Sequence, residues 1–472
     1  MTSSSHPTPL RIVIIGGGFS GAMVVTHLLR LATDPVAIIL VEAQPLMGRG
    51  IAYGTDQECH LLNVPAGRMS AFPGDPGHFS GWLSHGDTYG AGYFAPRKRY
   101  GIYIQEILET AMAGAAAQVR MDWIRNEAVS LFPQGNGAVV HLKTGQTLQA
   151  DRVVLALGNH PPRDPDVADR SFYQSQRYIS DPWAADALER LVPTDPVVVL
   201  GSGLTMIDVV LTLRERGHRG AIHALSTHGR LPQSHRLCAP YPPFLSAAEA
   251  AGTRDLLRRV RREIKRATMA GYDWRAVVDA LRPATQALWQ ALPLVEQRRF
   301  LRHVRSYWDV HRHRAAPAAA AAIEQLRQSK QLQVHVGRIC AYREWHEGVS
   351  VCYRPPRSNT LVELPASRVI NCTGPESDYR RLQHPLIRQL LAAGLARPDP
   401  LSLGLDTDAT GLLLDTHGYP SSCLYTLGAP CRGRLWETTA VPEIRVQAQA
   451  LAQLLLDTAP VSLAPPGESA LA

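Results

Sequence analysis

Three glycines near the start of the chain have the spacing that a phosphate-binding turn requires. Residues 11–21 read RIVIIGGGFSG, in which Gly16, Gly18 and Gly21 are spaced as G-x-G-x-x-G. In such a turn the first glycine permits the bend, the second lets the backbone approach a pyrophosphate, and the third lets helix and strand pack closely. The amide groups of the following helix then face the phosphate charge. The alternative is a buried structural turn.

The flanking residues supply the elements that this turn needs. Residues 12–15 are β-branched and predict a strand buried on both faces, and the glycines open a predicted helix through Leu31. Residues 36–41 predict a second strand that ends in Glu42. An acidic residue about 20 residues past the glycines meets the ribose hydroxyls of a bound nucleotide. Together these features predict a dinucleotide-binding unit.

A second unit of the same kind begins near residue 196. Residues 197–200 predict a strand, Gly201 and Gly203 a turn, residues 204–216 a helix, and residues 221–225 the next strand. The order of elements repeats that of the first unit.

Two positions distinguish the second unit from the first. Met206 stands where the third glycine would be, so we expect looser packing of the helix. The second strand ends at Ser226 without an acid, and Arg230 follows, where it could hold a 2′-phosphate. The alternative for Arg230 is an exposed basic loop residue.

The segment between the first unit and the next regular pattern is rich in Gly, Pro and aromatic residues. Residues 43–99 therefore predict either a wall around the reacting end of a cofactor or an irregular cap over the sheet edge. A helix is predicted over residues 100–117 and short strands over residues 119–150.

Two further buried strands end in glycine, at Gly158 and at Gly374. The second of them, in residues 368–374, predicts that the chain has returned to the first unit. Within the second unit, residues 245–326 have helical periodicity and predict a helical insertion. Its basic run at residues 256–267 predicts a charged, solvated helix face, and contact with an acidic partner is the alternative.

A pair of histidines near residue 312 is a weak metal signal. His311 and His313 would not share a face of a helix, and no carboxylate or thiolate cluster adjoins them in sequence. We expect no metal there, and interpret the segment as a substrate or cofactor loop, or as a source of hydrogen bonds between domains.

Composition narrows the class of protein. The chain has 472 residues, of which 45% are hydrophobic and 19% charged, as in globular proteins of two or three domains. Its net charge of +8 is spread along the chain without a nucleic-acid module, so anionic cofactors and substrates explain it better. Seven scattered cysteines, no signal peptide and no long apolar run predict a cytoplasmic protein without a membrane partner.

The arrangement of two dinucleotide units, one inside the other, resembles the two-dinucleotide-binding-domain flavoproteins. The segments MSAFPGDPGHFSGWL, WDVHRHRAAP and GRLWETTAVPEIR are similar to a bacterial FAD/NAD(P)-binding protein family, which is distantly similar to flavin-containing and N-hydroxylating monooxygenases. The resemblance implies an α/β fold with two Rossmann-like, glutathione-reductase-like domains. The first would bind FAD and the inserted one NADPH.

The implied domains and site residues follow from that resemblance. Residues 1–190 and 366–458 would form the FAD domain, residues 191–365 the NADPH domain with the helical insertion, and residues 459–472 a disordered tail. The expected cofactor-binding residues are Gly16, Gly18, Phe19, Ser20, Gly21, Glu42, Asn63, Met69, Ser70, Gly158, Gly201, Gly203, Leu204, Thr205, Arg230, Gly374, Gly428 and Glu443.

The expected activity is hydride transfer from NADPH to FAD, followed by activation of oxygen and hydroxylation of a small substrate. Disulfide reduction needs two adjacent cysteines beside the flavin, and the early FAD half has Cys59 alone. A flavin monooxygenase needs few reactive side chains, so we assign no catalytic residue. The alternatives are a flavin reductase with an organic acceptor and a non-enzymatic sensor that binds both nucleotides.

Overall fold

The computed structural model describes residues 8–84, 89–184, 186–189 and 191–457. The predicted tail at residues 459–472 lies outside them. The strands are β1 (Leu10–Ile15), β2 (Val36–Val41), β3 (Val119–Ile124), β4 (Ala128–Gln134), β5 (Gly137–Leu142), β6 (Thr147–Ala150), β7 (Arg152–Leu155), β8 (Tyr178–Ile179), β9 (Val197–Leu200), β10 (Ile222–Ser226), β11 (Leu332–Val336), β12 (Arg338–Trp345), β13 (Gly348–Arg354), β14 (Val362–Ala366), β15 (Arg368–Asn371), β16 (Leu412–Leu414) and β17 (Pro420–Thr426).

Helices connect and cover these strands. They are α1 (Phe19–Leu31), α2 (Gly50–Tyr53), α3 (His78–Leu83), α4 (Arg97–Ala113), α5 (Leu204–Glu215), α6 (Thr253–Met269), α7 (Trp274–Ala280), α8 (Thr285–Ala291), α9 (Leu294–His303), α10 (Arg305–Arg312), α11 (Pro317–Gln328), α12 (Pro385–Ala392), α13 (Arg432–Leu435) and α14 (Val441–Asp457). No helix in the described ranges is long and apolar enough to cross a membrane.

The first sheet joins the two ends of the chain. Its strand order is β16-β17-β7-β1-β2-β3, with parallel pairing from β17 to β3 and an antiparallel edge at β16. The central strand β1 is buried because α1, α4 and α14 cover one face of the sheet while β4–β6 and α12 cover the other. The predicted strand, turn, helix and strand of the first unit are confirmed.

The second sheet is parallel throughout, in the order β11-β10-β9-β15-β8. It includes β15, whose Val369 lies opposite Val198 of β9. The expectation that the chain has returned to the first unit at this strand is therefore wrong. In the first unit β7 pairs with β1, the strand that leads into the glycine turn, and in the second unit β15 pairs with β9 in the same way. Each glycine turn therefore has one of these strands beside it. The second unit thus takes in β8 and β15, which lie outside the expected limits of 191–365.

The two units share a layered plan. In the second unit α5 and α11 pack on one face of the sheet, and the antiparallel sheet β12–β14 packs on the other. Since α11 links β10 to β11 and its Ile323 and Leu326 are buried in this core, α11 belongs to the nucleotide unit. The helical insertion is consequently α6–α10, shorter than the predicted 245–326.

Candidate active site at two glycine turns

The first glycine turn is held by contacts that only glycine allows. Gly16 has φ +103°, and a Cβ there would lie 2.3 Å from the carbonyl oxygen of Ala156 beyond β7. A Cβ on Gly21 would lie 1.9 Å from the carbonyl oxygen of Gly16. These two glycines therefore shape the turn itself, as the sequence predicts.

The start of α1 at this turn offers unpaired amide groups. Gly18 is the N-cap of α1 and makes no side-chain cap, and the first turn of a helix leaves its N–H groups without intrahelical acceptors. Phe19 and Ser20 occupy that first turn and are buried. A segment after β2 lies against the turn: the Gly48 amide donates to the Gly17 carbonyl at 2.7 Å, and a Cβ on Gly18 would be 3.4 Å from the Cα of Gly50.

The acid at the end of β2 lies beside the same turn. Oε2 of Glu42 accepts a hydrogen bond from the Gly17 amide at 2.6 Å, and Oε1 accepts one from the Gln44 amide at 2.7 Å. Each carboxylate oxygen has a second lone pair available for a hydroxyl donor. Uncapped amides beside an oriented carboxylate are the donor and acceptor set that a nucleotide pyrophosphate and ribose need, so these residues fit FAD.

The second glycine turn repeats the first with one difference. Gly201 has φ +109°, and a Cβ there would lie 2.3 Å from the carbonyl oxygen of Cys372, just beyond β15. Gly203 is the N-cap of α5 without a side-chain cap, and a Cβ there would have no atom of the described residues within 4 Å. Met206 is fully buried in the core of this unit. The second turn therefore opens onto free space, whereas Gly50 lies against the first.

That space is a cleft of about 1020 Å³ along the carboxyl edge of the second sheet. It brings together six of the expected residues: Gly201, Gly203, Leu204, Thr205, Arg230 and Gly374. Asn159 beyond β7 and Thr439 before α14 also line it, so the cleft extends from the second unit to the first. Its volume and its turn fit a dinucleotide.

Arg230 lies in this cleft with its guanidinium already engaged. Its Nη1 donates to Oγ of Ser306 at 3.2 Å, and its Cζ lies 3.7 Å from the centre of the Tyr307 ring. A second cation, Arg338, was missed by sequence reasoning. It is exposed, lines the cleft, and follows Gly337, whose amide donates to the Ser226 carbonyl at 3.0 Å. The signal available was its place directly after β11, because parallel strands end at one edge of a sheet.

The two units are joined by buried polar contacts below the turns. Nη2 of Arg97 on α4 lies 2.9 Å from Oδ2 of Asp208 on α5; the Asp208 side chain is buried and the Arg97 side chain is 14% exposed. Nε2 of His60 lies 2.8 Å from Oγ1 of Thr212 on the same helix. Burial lowers the pKa of His60 to about 4 and, against the pull of Arg97, raises the pKa of Asp208 to about 6. His60 is therefore neutral at physiological pH.

The C-terminal segment reaches the first turn at Gly428. Gly428 has φ +73°, a Cβ on it would lie 3.1 Å from Oγ of Ser20, and its amide donates to Oε1 of Gln447. Glu443 lies elsewhere: its Oε1 is 3.8 Å from Nη2 of Arg282 and 3.5 Å from Nη2 of Arg312. The structure therefore places Glu443 in a buried ion cluster next to the helical insertion.

Glu437 is the centre of that cluster. It accepts a hydrogen bond from Nε1 of Trp308 at 2.7 Å and lies within 3.5 Å of Arg312 and His313. Burial alone would raise the pKa of Glu437. The pKa is nevertheless held well below its usual range by the charges and hydrogen bonds of His313, Arg312 and Trp308. His311 faces away, toward Trp274. The two histidines thus make separate contacts, and His313 serves as a contact between the insertion and the C-terminal segment.

Three of the remaining expected residues, Asn63, Met69 and Ser70, lie in the early irregular segment, and Gly158 lies just beyond β7. Ser70 is fully buried, and its hydroxyl donates to the Asp75 carbonyl at 2.5 Å, which closes a loop. Met69 is buried and Asn63 half-buried, and Arg445 donates to the Ser70 carbonyl at 2.7 Å. Gly158 has φ +62°, two residues beyond Ala156.

Phe79 of this segment belongs to the core, together with Tyr100 and Tyr103 of the following helix α4. Phe79, Tyr100 and Tyr103 are fully buried against α1 and α14. Trp82 packs on Phe79 and Tyr103 from outside and donates to Glu106. This packing fits the irregular cap, and the wall around the reacting end of a cofactor stays a prediction.

The described residues hold no cluster of three or more metal-ligating side chains. The seven cysteines are free. Burial raises the pKa of Cys59 and of Cys431 to about 12, and the pKa of Cys372 at the second turn well above its usual range. These thiols are poor nucleophiles at neutral pH.

Comparison with known proteins agrees with this geometry. Residues 13–160 match the family model described as FAD-NAD(P)-binding. With a TM-score of 0.62 at 13% identity, the chain is similar in structure to an ornithine N-hydroxylase of Kutzneria sp. 744, over 95% of this chain and 99% of that one. The thioredoxin reductase of Lactococcus lactis gives 0.51 at 10% identity, over 94% and 97%. The fold is that of the two-dinucleotide-binding-domain flavoproteins.

Two curated relatives match part of the chain. One is an L-aspartate N-monooxygenase (nitrosuccinate-forming) of Streptomyces davaonensis, 28% identical over 260 residues. These residues cover 45% of this chain and 39% of the relative. The other, from Streptomyces cremeus and with the same activity, is 30% identical over 180 residues, which are 35% of this chain and 27% of the relative. The chain thus spans about two fifths or less of the length of these relatives.

Proposed function

We propose that this protein is an FAD-dependent monooxygenase that oxidises NADPH and hydroxylates the nitrogen of a small amine or amino acid. The observation that carries the proposal is the cleft that leads from the uncapped turn at Gly203 to Asn159 and Thr439 of the other unit. Two nucleotides bound at the two turns would meet across it. The aspartate N-monooxygenase relatives support the oxygenase reaction and the nitrogen target.

In this proposal the first turn binds FAD. Amide groups at the start of α1 hold the pyrophosphate, and Glu42 accepts the ribose hydroxyls. Phe19 packs on Tyr53 and Tyr100, so the inner side of this turn rests on an aromatic core that keeps water out. When bound, the flavin supplies hydride acceptance and oxygen activation.

The second turn holds NADPH. The start of α5 faces the pyrophosphate, and the cations Arg230 and Arg338 at the ends of β10 and β11 hold the 2′-phosphate. The contacts of Arg97 and His60 with α5 fix the orientation of the two units relative to each other. A fixed orientation brings the reacting groups together without a further ordering cost.

The cysteines argue against the rival disulfide reductase. Thiol–disulfide exchange requires a thiolate, and the pKa of Cys372 at the second turn is raised by burial. The proposal further includes a small-molecule substrate, a cytoplasmic location, and no nucleic-acid or membrane partner.

One experiment separates the proposed function from its alternatives. The protein loaded with FAD is mixed with NADPH under nitrogen, and air is then admitted with L-aspartate and a panel of amino acids and diamines. A monooxygenase bleaches the flavin and forms a hydroxylated amine, detected by mass spectrometry, in step with NADPH oxidation.

Two other results would contradict the proposal. A reductase bleaches and reoxidises its flavin with peroxide as its sole oxygen product, and it passes electrons to quinone dyes under nitrogen. A sensor keeps its flavin oxidised. The variant Gly203→Val, which should lose NADPH binding, controls for non-enzymatic reduction.

A further inference from the structure

A cavity of about 350 Å³ that is partly open to solvent lies in the helical insertion, apart from both glycine turns. Helices α6–α10 line it together with Trp436 of the C-terminal segment. Leu256, Leu257, Val260 and Ile264 of α6 form one wall. The arginine-rich face of the same helix is exposed, as predicted, so α6 is amphipathic and its apolar face borders a void.

The opposite wall is aromatic. Trp289, Trp308 and Trp436 line the cavity, and Trp289 stacks on Trp436 with ring centres 5.1 Å apart. Trp436 is 3% exposed and has φ +59°, a left-handed conformation that a tryptophan adopts only where its surroundings impose it. Its surroundings therefore hold Trp436 in place in this wall.

Most polar groups on the wall are used within the protein. Nε1 of Trp289 donates to the Gly433 carbonyl at 2.8 Å, and Nε1 of Trp308 donates to Glu437 at 2.7 Å. The hydroxyls of Thr253 and Thr285 donate to backbone carbonyls. Arg261, Tyr307 and His311 also line the cavity, and the other lining side chains present ring faces, methyl groups and aliphatic chains. Such a lining recognises shape and apolar surface rather than charge.

We propose that this cavity is a binding site for a small, uncharged, largely apolar molecule, such as a two-ring aromatic compound. An engineered cavity of about 150 Å³ binds benzene, and one about twice that size accommodates two fused rings. The volume is at the low end of the range of small-molecule pockets, so a peptide helix does not fit.

The position of the cavity connects it to the nucleotide cleft. Tyr307 and His311 of α10 line the cavity, whereas Ser306 and Asp309 on the other side of this helix line the cleft. The Arg230 guanidinium lies over the Tyr307 ring. The same apolar chemistry suits a regulator of NADPH binding, because the amine or amino acid of the proposed function is polar.

Isothermal titration calorimetry of the FAD-loaded protein with 2-naphthol tests the site. We expect saturable binding with a negative heat-capacity change, which marks burial of apolar surface. Leu257→Trp fills the cavity from α6 and should weaken binding at least about tenfold. Met269→Trp adds the same side chain at the 82% exposed end of α6 and should leave binding unchanged.

Val260→Phe is the second filling variant, in case Leu257→Trp does not fold. Equal affinity in wild type and a folded filling variant, or no saturable binding by the wild type, would overturn the proposal. Titration of NADPH with and without 2-naphthol then tests the coupling: a changed NADPH affinity supports a regulatory site, and an unchanged affinity contradicts it. Neither the binding measurement nor its controls depend on the proposed monooxygenase reaction.

Discussion

Gly203→Val should abolish tight NADPH binding without unfolding the protein. Gly203 has φ −85° and ψ −164°, which a β-branched residue adopts freely, and a Cβ there meets no atom within 4 Å. The new side chain would project into the cleft where the start of α5 meets a pyrophosphate. We therefore expect a stability cost of about 1 kcal/mol or less, the usual cost of replacing a favourable N-cap residue.

The size of the binding loss follows from the contacts removed. Hydrogen bonds to a charged group are worth about 1.5–3 kcal/mol each. Displacing the phosphate from one or two amides should therefore weaken NADPH binding by about 3 kcal/mol, or roughly 150-fold. The affinity is measured from the rate of flavin reduction under nitrogen as a function of NADPH concentration, and the fold from thermal unfolding.

Gly201→Ala is the structural contrast, because its Cβ would lie 2.3 Å from the Cys372 carbonyl oxygen at φ +109°. It should lower the melting temperature by clearly more than Gly203→Val does. If Gly203→Val binds NADPH like the wild type, or melts as early as Gly201→Ala, the assignment of the cleft is refuted.

Three further predictions concern the first turn, the coenzyme and pH. Gly18→Val should purify colourless, because its side chain stands where the FAD pyrophosphate approaches, and normal flavin content by absorbance would disprove this. Arg230→Ala and Arg338→Ala should each reduce the preference for NADPH over NADH by about 1.5–3 kcal/mol, because each removes a cation from the cleft. The preference is measured as the ratio of kcat/KM for the two coenzymes. An equal loss of kcat/KM for both coenzymes would indicate a structural role. Burial lowers the pKa of His60 in the folded protein to about 4, so protonation of this side chain opposes folding. The free energy of unfolding should therefore be highest above pH 6.5 and fall by about 3 kcal/mol as the pH drops toward 4. In urea unfolding, His60→Gln should flatten this pH dependence, and exposed His417→Gln should not.

The sequence was sufficient for the features that depend on local pattern. The glycine spacing and the apolar runs predicted both turns, α1, α5 and the strands beside them, because these elements are encoded within short segments. The expected fold class was confirmed by the parallel sheets and by the similarity to solved flavoproteins.

Features that depend on pairing between distant segments could not be read in the same way. β15 resembles β7 in composition, and only its pairing with β9 shows that it belongs to the second sheet. Glu443 stands at the start of a helix like a cofactor ligand, but Arg282 and Arg312 from the insertion surround it. The apolar positions of α6 were present in the sequence, while the void they face is created by four other helices and Trp436.

The two turns differ in a way that suits the different behaviour of the two proposed cofactors. At the first, Gly48 donates to Gly17 and Gly50 lies against Gly18, so part of the turn is covered by the segment after β2. Release of a nucleotide from there requires this segment to move. At the second, Gly203 faces an open cleft of about 1020 Å³, and no equivalent segment lies within 4 Å of its Cβ position. A nucleotide at the first turn should therefore stay bound through many turnovers, as a flavin must, and one at the second should exchange in each turnover, as a coenzyme must.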